Sequence, residues 1–217
     1  MIFDAFDRIR IVNLRSRPDR RAQMKRELAA LGLEGDPRIV FFDAVRPNDK
    51  GDFSSIGARG VFASQLTILQ NAAAAGESLL ILEDDCYFTD HAAQYRTDER
   101  WDIFYGGYEA SDPNDPHGSE VIIGAHMMGF SARGARLMAD YLDKLAYKGV
   151  HPPIDGAYVW FRRAHPDVPT HFAAPPLAYQ RPSRTDIADL SFFDRWPGVR
   201  LLAQAARRLK HMLRKER

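Results

Sequence analysis

Leu79-Leu80-Ile81-Leu82-Glu83-Asp84-Asp85 decides the reading of this 217-residue chain. Four apolar residues, enough for a short strand, run directly into three consecutive acids. A strand buried on both faces of a parallel sheet reads as a continuous aliphatic run, and open α/β sheets place ligands at the carboxyl ends of such strands. Three carboxylates at one strand end repel one another unless a cation sits among them. Hard oxygen donors suit Mg²⁺ or Mn²⁺, whose open positions commonly take substrate phosphates. The same acids also suit an acidic loop or the N-cap of a following helix.

Outward from this stretch, strand and helix patterns alternate. Arg8 to Leu14 reads as a strand, and Asp19 to Leu31 as a helix that opens at Pro18 and ends at Gly32. Ile39 to Val45 is a second strand. Gly57 to Ala75 is a helix with Phe62, Leu66, Leu69 and Ala73 facing inward, closed by Gly76. Trp101 to Tyr105 reads as a strand ending at Gly106-Gly107, and the segment from Ser111 to Gly118 is rich in turn residues. Val121 to Ile123 and His126 to Phe130 read as two short strands. Ser131 caps a helix through Leu145, and a short helix covers Ile154 to Arg163. The alternation predicts an α/β domain over 1–194, with a mostly parallel central sheet and helices on both faces.

Composition narrows the class. Hydrophobic residues make up 45% and charged residues 27%, which is ordinary for a soluble globular chain. No apolar run approaches membrane-spanning length, and the first residues lack the pattern of a signal peptide. With a single cysteine, Cys86, an intramolecular disulfide framework is excluded and a cytoplasmic location is expected. Residues 195–217 carry eight Lys/Arg against one Glu, a net +7 that leaves −6 on the rest of the chain. A mildly acidic body is not the footprint of a nucleic-acid-binding domain. The basic tail, with Val199, Leu202, Leu209, Met212 and Leu213, reads as an amphipathic helix. It suits either attachment to an anionic inner-membrane surface or packing on the body.

Six segments in order resemble glycosyltransferase family 25, which includes bacterial lipopolysaccharide and lipooligosaccharide sugar transferases. They are Ile11-Val12-Asn13-Leu14 with Arg17 to Arg21, Gly57 to Gln65, Leu80 to Asp85, Gly124 to Ser131, Pro152 to Gly156, and Pro175-Pro176 with Gln180 and Ser183 to Ile187. The resemblance spans about Arg8 to Ile187. Its most specific part is the acidic motif Ile81-Leu82-Glu83-Asp84-Asp85. The chain departs from the family pattern at Ala58, Val61 and Gln65, where the family carries Glu, Cys and His.

The resemblance implies a GT-A-like nucleotide-binding fold and transfer of a hexose from a UDP-sugar, galactose or glucose, to a hydroxyl of a glycan or lipid-linked glycan acceptor. Inversion at the anomeric centre is expected, with Mn²⁺ or Mg²⁺ as cofactor. Glu83 and Asp85 are the expected metal ligands, with His171 or Gln180 completing the shell, although a lone His is often structural. Asp84 suits a ribose hydroxyl or a helix N-terminus. Asp155 is the candidate base, with an N-cap carboxylate as the alternative. Asn13, Leu14, Arg17 and Arg20 follow the first strand, where nucleotides meet such sheets, and Arg carries a planar fork of donors suited to phosphate; Asn13, Leu14 and Arg17 are favoured for the pocket and Arg21 is left outside it. Arg17, Arg20 and Arg21 equally suit a solvated helix face. Arg59, Gly106 and Gly107 complete the donor-binding candidates, and Tyr87 and Tyr108 suit either sugar stacking or the core. The departures at Ala58, Val61 and Gln65 leave open a catalytically degenerate relative that binds nucleotide or glycan. A metal-dependent phosphohydrolase fits less well, because no two-metal His/Asp array accompanies the acids.

Overall fold

The computed structural model describes residues 1–119 and 121–181. Met1–Arg181 is one compact unit. The expected domain boundary after residue 194, the basic helix over 195–217 and the Ser183 to Ile187 segment lie outside the described residues. No described helix is long and apolar enough to cross a membrane.

A short 3-10 turn leads into β1 (Arg8–Asn13), α1 (Pro18–Ala30) and β2 (Ile39–Asp43). Then come α2 (Ile56–Ala75), β3 (Leu79–Glu83), β4 (Cys86–Phe88), β5 (Ile103–Ala110) and β6 (Ile122–Phe130). The described elements finish with α3 (Ala132–Asp143), α4 (Ile154–Ala164), β7 (Thr170–Phe172) and β8 (Ala178–Gln180). Local chemistry sets the helix ends. Pro18 occupies the first turn of α1. The Ser55 hydroxyl caps α2 by accepting from the Ala58 amide at 3.0 Å. Gly76, at φ 69°, ends that helix in the left-handed conformation that a side chain would disfavour.

Six strands form the central sheet in the order β2-β1-β3-β6-β5-β7. The pairs β1/β2, β1/β3 and β5/β7 are parallel, whereas β6 runs antiparallel to both β3 and β5. Five strands therefore share one direction, and the sheet is mostly parallel, as expected. The aliphatic run of β3 feeds two cores. Leu79 and Ile81 pack with Leu69 of α2, Met138 of α3 and Tyr158 of α4. Leu80 and Leu82 pack with Met24 and Leu28 of α1. All four aliphatic side chains of β3 are fully buried, each contributing about 1.5–3 kcal/mol. Helices thus cover both faces.

Three details differ from the sequence expectation. β5 does not stop at Gly106-Gly107 but continues to Ala110, and its register against β6 slips around Gly107. β6 is one nine-residue strand rather than two short ones. β4 and β8 form a separate two-stranded sheet, and both, like β7, span only three residues, too short for a period-two pattern to announce.

The order 2-1-3 has a consequence for ligand binding. The chain leaves β1 by way of α1 toward β2 on one side, then returns by way of α2 to β3 on the other. The two helices cover opposite faces, so strand order reverses between β1 and β3. Ligands of open α/β sheets bind in the crevice outside the carboxyl ends at such a switch point.

Candidate active site

The carboxyl ends of β1 and β3 are adjacent, with Val12 in register with Glu83. The next residues along each chain meet there. The Asn13 side-chain amide donates to Asp84 Oδ2 at 2.7 Å and to the Arg17 carbonyl at 3.2 Å. From the first turn of α1, Arg20 Nη1 lies 2.9 Å from Asp84 Oδ1 and 2.9 Å from Asp85 Oδ2. Both aspartate side chains are less than a tenth exposed. Gln180 Nε2 lies 3.5 Å from Glu83 Oε2 and 3.5 Å from Asp85 Oδ2. The following residue, Arg181, donates its backbone N–H to the Asp85 carbonyl at 2.9 Å and pairs its guanidinium with Glu27 of α1. The small β4/β8 sheet is thereby tied to α1 and carries Gln180 to the acids.

Asp155 lies in the first turn of α4, and each of its oxygens accepts one backbone N–H. Oδ2 takes Gly124 at 3.2 Å, and Oδ1 takes Gly156 at 2.9 Å. Burial, then the negative charges of Asp85, Asp155 and Asp84, push the Glu83 carboxyl up to about 8, while Arg20 pulls it down. Asp155 therefore belongs to the same electrostatic cluster as the strand-end acids. This has a measurable result. Unfolded Glu83 loses its proton near its usual value of 4.5, whereas the folded protein keeps it to about 8. The folded state binds more protons between those values, so this contribution to stability is full below the unfolded pKa and lost as pH rises through the folded one. Without divalent cation, the Tm should decline across that window, and Glu83→Gln should flatten the decline. A wild-type profile that is already flat contradicts the coupling.

Other sequence candidates fall elsewhere. The β5/β7 register sets His171 beside Phe104, at the level of Leu80 in the sheet. It sits three strand spacings from β3, about 14 Å across the sheet. Tyr95 holds its Nε2 at 2.7 Å and Glu99 its Nδ1 at 2.6 Å, and the ring stacks on Phe104. The imidazole is a structural element of the sheet edge, which corrects its expected place beside the acids. Gly106 and Gly107 are also packed rather than open. A Cβ at Gly107 would lie 2.4 Å from His126 Cδ2, and one at Gly106 would lie 2.7 Å from Met127 Sδ. These glycines admit a buried imidazole and the β6 side chains. His126 Nε2 lies 3.0 Å from the Ala178 carbonyl, and burial lowers its pKa.

Arg17 forks onto Asp19, leaving its backbone carbonyl to Asn13, and Leu14 is partly exposed just beyond β1. Arg59 pairs with Asp49 on the exposed side of α2. Tyr108 is buried and donates to the Ala173 carbonyl at 3.1 Å, so it belongs to the core. Tyr87 packs against Tyr179 on the small sheet, ring centroids 5.7 Å apart. Gln65, fully buried, accepts from the Tyr158 hydroxyl at 2.5 Å, linking α2 to α4 inside the core. Gly124 and Arg181 are contributors that sequence reasoning did not select, and Arg20 is one that it weighed beside Arg17 without favouring it. Arg20 had a signal in its position on the first turn of the helix that follows β1, but a surface arginine has the same one.

Among the described residues, no three His, Cys, Asp or Glu side chains are disposed to hold a metal ion together. Glu83 and Asp85, with the Gln180 amide, are the groups that would hold one. Two carboxylates with remaining positions for phosphate and water is a usual arrangement for Mg²⁺ with a nucleotide. The neighbouring carboxylate charge, which adds to burial in raising Glu83, is what such a cation would offset. A cavity of ≈ 430 Å³ lies apart, with Ser119, Arg162 and Thr170 among its walls and none of the strand-end acids.

The chain matches no protein-family model and no curated protein. Among solved structures it is similar to a glycosyltransferase involved in glycosylation of the major capsid of PBCV-1. That match has 13% identity over 82% of this chain and 97% of the other, with a TM-score of 0.49. It is also similar to a Drosophila β-1,4-galactosyltransferase 7 in complex with manganese, UDP-Gal and xylobiose. Identity there is 10% over 88% of this chain and 78% of the other, with a TM-score of 0.45. A third is the CTP:phosphocholine cytidylyltransferase of Streptococcus pneumoniae, at 16% identity over 85% of this chain and 76% of the other, TM-score 0.37.

Proposed function

We propose that the protein is a divalent-cation-dependent glycosyltransferase of the GT-A type, transferring a hexose from a UDP-sugar to a hydroxyl of a glycan such as lipooligosaccharide. The observation that carries this reading is the meeting of Asn13, Arg20, Asp84, Asp85 and Gln180 at the switch point between β1 and β3. Nucleotide, cation and diphosphate all find suitable chemistry there.

In this reading the acceptor oxygen attacks the anomeric carbon from the face opposite the donor diphosphate. The bond from that carbon to the diphosphate oxygen breaks, and UDP leaves with the bonding pair. Asp155 takes the acceptor proton, and its two backbone hydrogen bonds fix the direction of its remaining lone pairs. The Asn13 amide, 2.7 Å from Asp84 Oδ2, holds this carboxylate in place to orient the donor ribose. Glu83, Asp85 and Gln180 would hold Mn²⁺ or Mg²⁺. When bound, the ion neutralises charge on the departing diphosphate. With UDP-galactose or UDP-glucose, Mn²⁺ and a lipooligosaccharide acceptor, UDP release should require acceptor and stop on chelation. Acceptor-independent release, or release that survives EDTA, counts against the reading.

A further inference from the structure

We propose that Arg20 is a displaceable internal counter-ion, holding the cation's place at Asp85 in the free protein and moving to the donor phosphates when the cation enters. This rests on the cation-dependent reading above. One nitrogen, Nη1, serves both aspartates at 2.9 Å. The Arg20 side chain is 17% exposed, and its partners are 9% and 8% exposed, so little water screens the pair.

The two aspartates are not equivalent. Asp84 has the Asn13 amide at 2.7 Å as a second partner, so it keeps a hydrogen bond when Arg20 departs. The Asp85 oxygen that Arg20 holds, Oδ2, is also the one nearest the Gln180 amide. The Asp85 oxygen within reach of Gln180, its fellow candidate ligand, is therefore the one the guanidinium occupies. A cation arriving alone must displace Arg20 and leave it partly desolvated. A cation arriving with a nucleoside diphosphate gives the guanidinium a new anionic partner, for which its planar fork is suited. Cation and donor should therefore bind cooperatively, each tightening the other by the same factor.

The test is Mn²⁺ titration, followed by calorimetry or electron paramagnetic resonance, of the full chain with and without UDP. Arg20→Met should bind Mn²⁺ alone at least about tenfold more tightly than wild type, roughly 1.4 kcal/mol. UDP should then tighten Mn²⁺ much less in this variant than in wild type. Arg20→Lys retains a charge without the fork, so it should keep the weak Mn²⁺ affinity of wild type and lose part of the response to UDP. It also guards against a fold defect in the Met variant. Arg21→Met is the charge control, because the Arg21 guanidinium lies 4.4 Å from the Phe41 ring centroid. An equal gain in Arg21→Met, or no gain in Arg20→Met when wild type binds Mn²⁺ with UDP, overturns the role of Arg20 alone. Absence of Mn²⁺ binding to wild type even with UDP overturns the cation-dependent reading and this inference with it.

Discussion

Asp85→Asn should weaken Mn²⁺-dependent UDP-sugar binding by roughly two orders of magnitude, about 2.7 kcal/mol, and reduce transfer to background. The substitution removes a negative charge without changing side-chain size. It acts on the one aspartate that faces both Arg20 and Gln180. Fold should survive, because Arg20 keeps Asp84 and the Asp85 backbone carbonyl keeps its bond to the Arg181 N–H. Calorimetric titration reads the binding and thermal unfolding reads the fold. Donor affinity within threefold of wild type would remove Asp85 from the metal site.

Asp155→Asn separates chemistry from binding. As general base, Asp155 should supply about 10²–10⁴-fold in kcat, and its loss should leave donor affinity near that of wild type. The competing role is structural, since each oxygen already accepts a backbone N–H, from Gly124 and Gly156. An Asn retains only one such acceptor oxygen. One backbone bond is lost in either case and lowers the Tm, so turnover decides: a helix-end role predicts near-normal kcat, whereas a base predicts the loss of about 10²–10⁴-fold. Full turnover with a lowered Tm would leave Asp155 as a structural carboxylate.

Much of the architecture was legible because burial leaves periodic marks. The Leu79 to Leu82 run, the Pro18 and Ser55 helix starts and the Gly76 stop each have a local physical cause, and β1 to β3 with α1 and α2 form at those marks. Gly106-Gly107 misled because glycine usually interrupts strands, whereas here it relieves crowding from His126 and Met127. The residues at the end of β3 were legible as a candidate site because acids at a strand end are chemically unusual. Their partners were less so. Arg20 resembles any helix-surface arginine until the fold turns it onto Asp84 and Asp85. His171 stood between a ligand and a structural histidine because its partners, Tyr95 and Glu99, come from a distant loop. Gln65 stood out as a departure from the family pattern, yet its side chain is held in the core by Tyr158, away from solvent. Tertiary pairing of this kind leaves no mark on spacing.

Titration of UDP-galactose and UDP-glucose into wild-type protein, with Mn²⁺ and with EDTA, tests the central claim most directly. The account predicts saturable one-site binding of at least one donor with Mn²⁺ present and its loss on chelation. Binding that is equal in EDTA, or no binding of either donor with Mn²⁺ present, would contradict it.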